Sequence, residues 1–243
     1  MSQTGKSLTS TERDMEALEV FVVGNPDLEQ LEALLDQFNI FEAIGAVRQE
    51  LRHSDFLAFL LNPQQNHRLG DAFVKRLLQK ALIAAQSASI PVSPIDLDVW
   101  SLDELVIQRE WQNIDIMILD EAHSLAIIIE NKISGGEHSG QLKRYRHTVE
   151  QHYPDWCIIG LYFTPDGDPA SDDSYLPIGY DLVAELVDRL AESRASTLGP
   201  DVRTLMIHYT QMLRRHIVAQ SEIAELCQRI YHKHQRALDL IYE

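Results

Sequence analysis

Cysteine is nearly absent: Cys157 and Cys227 are the only two in 243 residues and lie 70 positions apart. That excludes a disulfide framework and a zinc site of clustered cysteines, and it fits reduced thiols in a cytoplasm. Long apolar runs are also missing, and no stretch nears the roughly 20 residues that a bilayer span requires. The N-terminal segment Met1 to Asp14 is polar and has no apolar core, so no secretory signal is expected. Cations are scarce: 21 Lys and Arg face 37 Asp and Glu, a formal net charge of -16. Such a balance argues against a protein that coats nucleic acid indiscriminately, because phosphate binding draws on clustered Lys and Arg. It leaves room for a local site. There is no internal repeat and no low-complexity tract.

What is present is the mixture of an ordinary globule, 45% hydrophobic and 24% charged, in a chain long enough for one sizeable domain. Two adjacent apolar segments stand out, Asn113 to Asp120 and Leu125 to Ile133, with Asp115, Glu130 and Lys132 placed at their ends. Leu125 to Ile129 is the kind of short apolar run that fills a sheet covered on both faces. Charge directly beside it is costly unless paired or bound to metal. If Glu121 to Ser124 is a four-residue connection, the antiparallel register pairs Asp120 with Leu125 and sets Asp115 across from Glu130. Opposed Cβ atoms lie roughly 4.5 to 5.5 Å apart, close enough for both carboxylates to share one divalent ion. Lys132, two residues beyond Glu130, falls on the same sheet face. Two facing carboxylates repel, and a hard cation such as Mg²⁺ removes the repulsion. The competing reading is a structural Glu/Lys pair on an edge strand with an unrelated Asp.

The remaining pattern predicts helices over Leu28 to Phe41, Val47 to Leu61 and His67 to Ala85, with a stop at Asn62-Pro63 and a connection from Ser87 to Asp98. Strands are expected at Glu104 to Trp111, Ile114 to Leu119 and Leu125 to Lys132. A helix from about Ser139 to Tyr153, a buried strand from Trp156 to Phe163 and a turn-rich loop at Thr164 to Pro169 follow. A short strand at Leu176 to Tyr180 and helices at Asp181 to Ser193, Val202 to Val218 and Glu222 to Tyr242 complete the reading. Three antiparallel strands, a crossover helix and a further strand make one α/β domain over 1–243, with a helical part (1–100), a sheet core (101–180) and C-terminal helices (181–243). The apolar positions of the last helices, Ile217, Ile223, Leu226, Ile230, Leu238 and Ile241, suit either closure of the core or a dimer face.

Ile114-Asp115, then Glu130-Asn131-Lys132 fifteen residues on, then Gln141-Leu142-Lys143-Arg144-Tyr145 on a helix, resembles the PD-(D/E)XK nuclease superfamily with the Gln-x-x-x-Tyr of its RecB-type branch. The stretch from Glu50 through His53-Ser54-Asp55-Phe56 to Asn62-Pro63, with His67, Gly70 and the later Leu161 to Gly167, is similar to the bacterial group of that superfamily. The likeness covers about Glu50 to Arg215. Ile114 stands where the name-giving Pro would be, a position that carries no ligand.

The resemblance implies a restriction-endonuclease-like core, a mixed central sheet in αβββαβ order flanked by N- and C-terminal helices. It implies that Asp115, Glu130 and the Asn131 main-chain carbonyl hold Mg²⁺ or Mn²⁺, with Glu50 as a candidate fourth ligand. The metal would lower the pKa of a water and polarise the scissile phosphate, while Lys132 would hold the attacking oxygen and offset charge in the transition state. Gln141 and Tyr145, four apart and hence on one helix face, would lie near the reacting water and the nucleic acid; as plain helix residues they would be packing and solvent contact. His53 and Ser54 are candidates for phosphate contact or for capping, and His53 and His67 read equally as satisfied polar residues that tie the Asn62 to Arg68 loop to its neighbours. Lys143 and Arg144, next to Arg146 and His147, suit phosphate contact or a solvated face, as does the later cluster of Arg203, His208, Arg214, Arg215 and His216.

The function implied is a metal-dependent deoxyribonuclease, an endonuclease in restriction, repair or defence against mobile elements, acting on DNA with RNA not excluded. Cleavage of two strands by one site per chain makes a homodimer attractive. The competing functions are a catalytically weak nucleic-acid-binding or regulatory protein of the same fold, and an interaction or metabolic protein of unrelated fold.

Overall fold

A computed structural model describes residues 9–85, 90–218 and 222–242. The first eight residues of the polar N-terminal segment and the start of the Ser87 connection lie outside them. The sequence reading expects one domain over 1–243; by its internal contacts the chain divides into two compact units, residues 1–38 with 220–243 and residues 39–219.

The first unit is helical: α1 (Ser10–Val22), α2 (Pro26–Leu35) and α10 (Glu222–Tyr242). The α10 helix packs on α1 and α2 and buries Leu226, Ile230 and Ala237, so two apolar positions read as core or dimer face close this unit. The sequence reading misses α1, although its start signal is explicit. Thr9 Oγ1 accepts from the Glu12 N–H while the Glu12 carboxylate accepts from the Thr9 N–H, a reciprocal cap.

The second unit holds α3 (Ile40–Ala43), α4 (Glu50–Leu61), α5 (Ala72–Ala85), α6 (Pro94–Val99), β1 (Val106–Trp111), β2 (Ile114–Asp120), β3 (Leu125–Asn131), α7 (Gln141–His152), β4 (Cys157–Thr164), β5 (Tyr175–Gly179), α8 (Tyr180–Ser193) and α9 (Pro200–His216). Two boundaries differ from expectation for local reasons. The helix expected over Leu28 to Phe41 breaks, because Asn39 caps a new one by accepting from the Phe41 and Glu42 N–H groups. The connection after Ser87 contains α6, because Pro94 sits at a first helical position where its missing N–H costs nothing and Ser93 with Asp96 forms a capping box.

The sheet runs β1-β2-β3-β4-β5. The first three strands are antiparallel, and β3, β4 and β5 are parallel, with α7 as the crossover. This mixed sheet flanked by helices is the architecture of the restriction-endonuclease-like fold. Period-two alternation divides its side chains. Ile116, Ile118, Ile127, Ile129, Leu161 and Phe163 join the core built with α4, α5, α8 and α9. Met117, Leu119, Ala126, Ile128 and Tyr162 pack with Leu142, Tyr145 and Val149 of α7. The β2/β3 register pairs Asp120 with Leu125 and Ile116 with Ile129. One further step brings Asp115 across from Glu130, and both belong to the α7 face. Among the described residues no helix is long and apolar enough to cross a membrane.

Candidate active site

The site forms where β2 begins and β3 ends. Before it, β1 and β2 are joined through Gln112 and Asn113, both in the left-handed region at φ 52 and 67, so Asp115 follows a tight two-residue turn. The Asp115 Oδ2 accepts from the Asn131 N–H at 2.7 Å. The Asp115 carbonyl accepts from Arg109, whose guanidinium also reaches the Leu51 carbonyl and the Asp55 carboxylate. No sequence signal singled out Arg109; only the fold shows that it joins β1, β2 and α4.

Glu130 is 1% exposed. Its Oε1 accepts from Lys132 Nζ at 2.8 Å and from Gln141 Nε2 at 2.7 Å. The same Gln141 nitrogen lies 2.8 Å from the Tyr145 hydroxyl. Among the described residues, Glu130 Oε2 is buried with no partner; the other such atom, Gln108 Oε1, is a neutral amide oxygen and costs less to bury.

The electrostatics follow from this crowding. Burial and then the Asp115 charge push the Glu130 carboxyl up to about 7, against the Lys132 contact that favours ionisation. Burial also raises Asp115, opposed by the Asn131 N–H and Lys132. Burial alone would lower Lys132, but Glu130, Glu50 and Asp115 more than offset it and the ammonium is held charged. The site therefore carries one fixed cation and two acids that resist being anionic together.

Of the remaining expected site residues, Glu50 lies close by. Its Oε1 accepts from the Ile133 and Ser134 N–H groups at 3.0 and 3.3 Å, where it anchors the segment leaving β3. Among the described residues no group of three or more His, Cys, Asp or Glu side chains is gathered to enclose a cation. A cation held here would draw on two carboxylates and on non-carboxylate oxygens, a donor set that suits a hard ion such as Mg²⁺, which keeps several waters. The partnerless Glu130 oxygen and the hard-oxygen donor set fit such an ion.

His53 and Ser54, expected as phosphate contacts, are 1% and 0% exposed and bond only to interior groups. Their place is the core under α4, where His53 bonds Tyr209 and the Val47 carbonyl and Ser54 bonds Asn131. His67 is buried as well and ties its own loop through the Asn62 carbonyl and the Leu69 N–H. Lys143 and Arg144 are exposed on α7, with Arg144 donating to the Ser139 carbonyl. In the later cationic cluster, Arg214 pairs with Asp188, while Arg215 and His216 both bond Glu42. The two arginines are held in ion pairs and His216 in a hydrogen bond.

A family model described as PD-(D/E)XK nuclease superfamily matches residues 38–233. No curated protein and no solved structure matches the chain.

Proposed function

Because the chain belongs to the PD-(D/E)XK nuclease superfamily, we propose that it is a Mg²⁺- or Mn²⁺-dependent deoxyribonuclease, an endonuclease acting in restriction, repair or defence against mobile elements. The observation that carries this reading is the buried, partnerless Oε2 of Glu130 beside Asp115. A carboxylate oxygen left without a donor in a dry site costs about 1 to 3 kcal/mol or more, and a cation offsets that cost.

Asp115, Glu130 and the Asn131 carbonyl are the groups that would hold the ion. When bound it supplies Lewis-acid chemistry, lowering the pKa of water and drawing charge from a phosphate. Lys132, kept as an ammonium by its acidic neighbours, orients the attacking water and offsets negative charge that grows on the phosphate oxygens. Gln141 fixes the Glu130 carboxylate through its amide and is itself steadied by Tyr145. Lys143 and Arg144 extend a cationic face along α7 toward the nucleic-acid backbone.

The test is cleavage of supercoiled, linear and single-stranded DNA, with an RNA arm, in Mg²⁺ or Mn²⁺ against EDTA. Metal-dependent cleavage of DNA supports the reading. Binding without cleavage selects a regulatory protein of the same fold, and preference for RNA replaces the substrate.

A further inference from the structure

His53 and Ser54 belong to the signature around Glu50, yet they face away from any ligand. Both enter a row of buried polar groups on the sheet face covered by α4, α8 and α9. Asn131, Ser54, Tyr180 and Tyr209 are all 0% exposed. The row begins at the Val47 carbonyl, which can only accept, so His53 Nε2 at 2.9 Å carries the ring proton. Burial lowers the His53 pKa and favours the neutral ring. Its Nδ1 is then an acceptor, and the Tyr209 hydroxyl donates to it at 3.2 Å. Tyr180 gives its one proton to Asn131 Oδ1 at 2.6 Å, and the His53 ring packs edge-on against the Tyr180 ring with centroids 5.7 Å apart.

Asn131 is the end of the row. Its Nδ2 donates to the Glu50 carbonyl at 3.2 Å and to Ser54 Oγ at 3.0 Å. Both amide protons and the amide oxygen are thereby held, and rotating the side chain would leave buried groups unpaired. Its main-chain N–H is the group that grips Asp115 Oδ2.

We propose that Ser54 and Tyr180, with the bonded pair His53 and Tyr209 packed behind them, are positioning residues that lock Asn131 and, through its main chain, aim the Asp115 carboxylate and the Asn131 carbonyl at a divalent cation. This inference rests on the nuclease reading. It assigns the His-Ser pair to the support of the metal-holding strand end, where outer hydrogen-bond partners of metal ligands typically govern affinity by roughly 10- to 100-fold.

Tyr180→Phe deletes one hydroxyl and keeps the ring. On the full chain, Mn²⁺ affinity by calorimetry, kcat and KM on DNA, and thermal unfolding are measured together. The expected result is Mn²⁺ binding weakened and kcat reduced by roughly tenfold, with KM for DNA unchanged. Ser54→Ala, milder for the fold, moves both quantities the same way by less and serves if Tyr180→Phe does not fold. Lowered thermal stability with Mn²⁺ affinity and kcat unchanged in both variants overturns the proposal, because the row is then structural alone. A parent chain that binds no Mn²⁺ and cleaves nothing overturns the nuclease reading itself. A parent that does both beside unaltered variants overturns only this inference.

Discussion

The two faces of the sheet at the end of β3 bury similar sets of polar groups and treat them oppositely. On the α4/α8/α9 side the buried groups are neutral and partnered, His53 with Tyr209 and the Val47 carbonyl, Asn131 with Tyr180 and Ser54. On the α7 side, Asp115 and Glu130 are crowded together, both carboxyls are raised, and one oxygen lacks any donor. Burial is common to the two. What differs is whether folding satisfies the buried group, and the unsatisfied side is where the protein keeps a cost that a ligand can relieve.

The sharpest way to break this comparison is to remove the acids or the amine. Asp115→Ala, Glu130→Ala and Lys132→Ala should each reduce cleavage by roughly a thousandfold or more while circular dichroism stays native. Metal-dependent cleavage surviving in any of the three, in preparations free of host nuclease, contradicts the assignment. Next in size is Gln141→Ala, which frees Glu130 Oε1 from its amide donor. A kcat loss of roughly 10- to 100-fold with KM little changed is expected, measured by steady-state kinetics, and a pure KM effect would move Gln141 to substrate binding.

The third contrast is pH. Glu130 has an ordinary value of 4.5 and is raised to about 7 in the fold, so between these values the folded chain holds more protons than the unfolded one. The stability associated with this group is therefore present below about 4.5 and is lost as pH rises through about 7. Metal-free protein should lose melting temperature over that window relative to Glu130→Gln, and added Mg²⁺ should raise it more at pH 8 than at pH 5. A flat difference between parent and variant would show that Glu130 titrates normally. The smallest effect belongs to the exposed α7 cations. Lys143→Ala or Arg144→Ala should raise KM a few-fold and lower the salt dependence of DNA binding by about one unit of slope each; unchanged salt dependence would place them away from the phosphates.

The sheet and its acids were legible because strand alternation is short-range. Isoleucines at 116, 118, 127 and 129 with a four-residue turn leave one register, and that register carries Asp115 to Glu130. The Gln141 and Tyr145 pair came from the family resemblance; helical spacing by itself sets them on one face and reads equally as packing and solvent contact. The support for the site was not legible in the same way. Tyr180 reaches Asn131 across 49 positions and Tyr209 reaches His53 across 156, and Arg109 contacts β2 and α4 only once the fold has gathered them. The place of His53 and Ser54 stayed open between phosphate contact, capping and interior bonding, because helix periodicity does not say which side of a helix meets a second layer. The α1 and α6 helices were passed over although Thr9 with Glu12 and Ser93 with Asp96 announce their starts.

The central claim is that Asp115 and Glu130 together hold a divalent cation. A crystal soaked in Mn²⁺ and measured for anomalous scattering tests it directly. The expected result is a peak within coordination distance of both the Glu130 and the Asp115 carboxylates. A peak that touches neither residue, or none at saturating Mn²⁺, would contradict it.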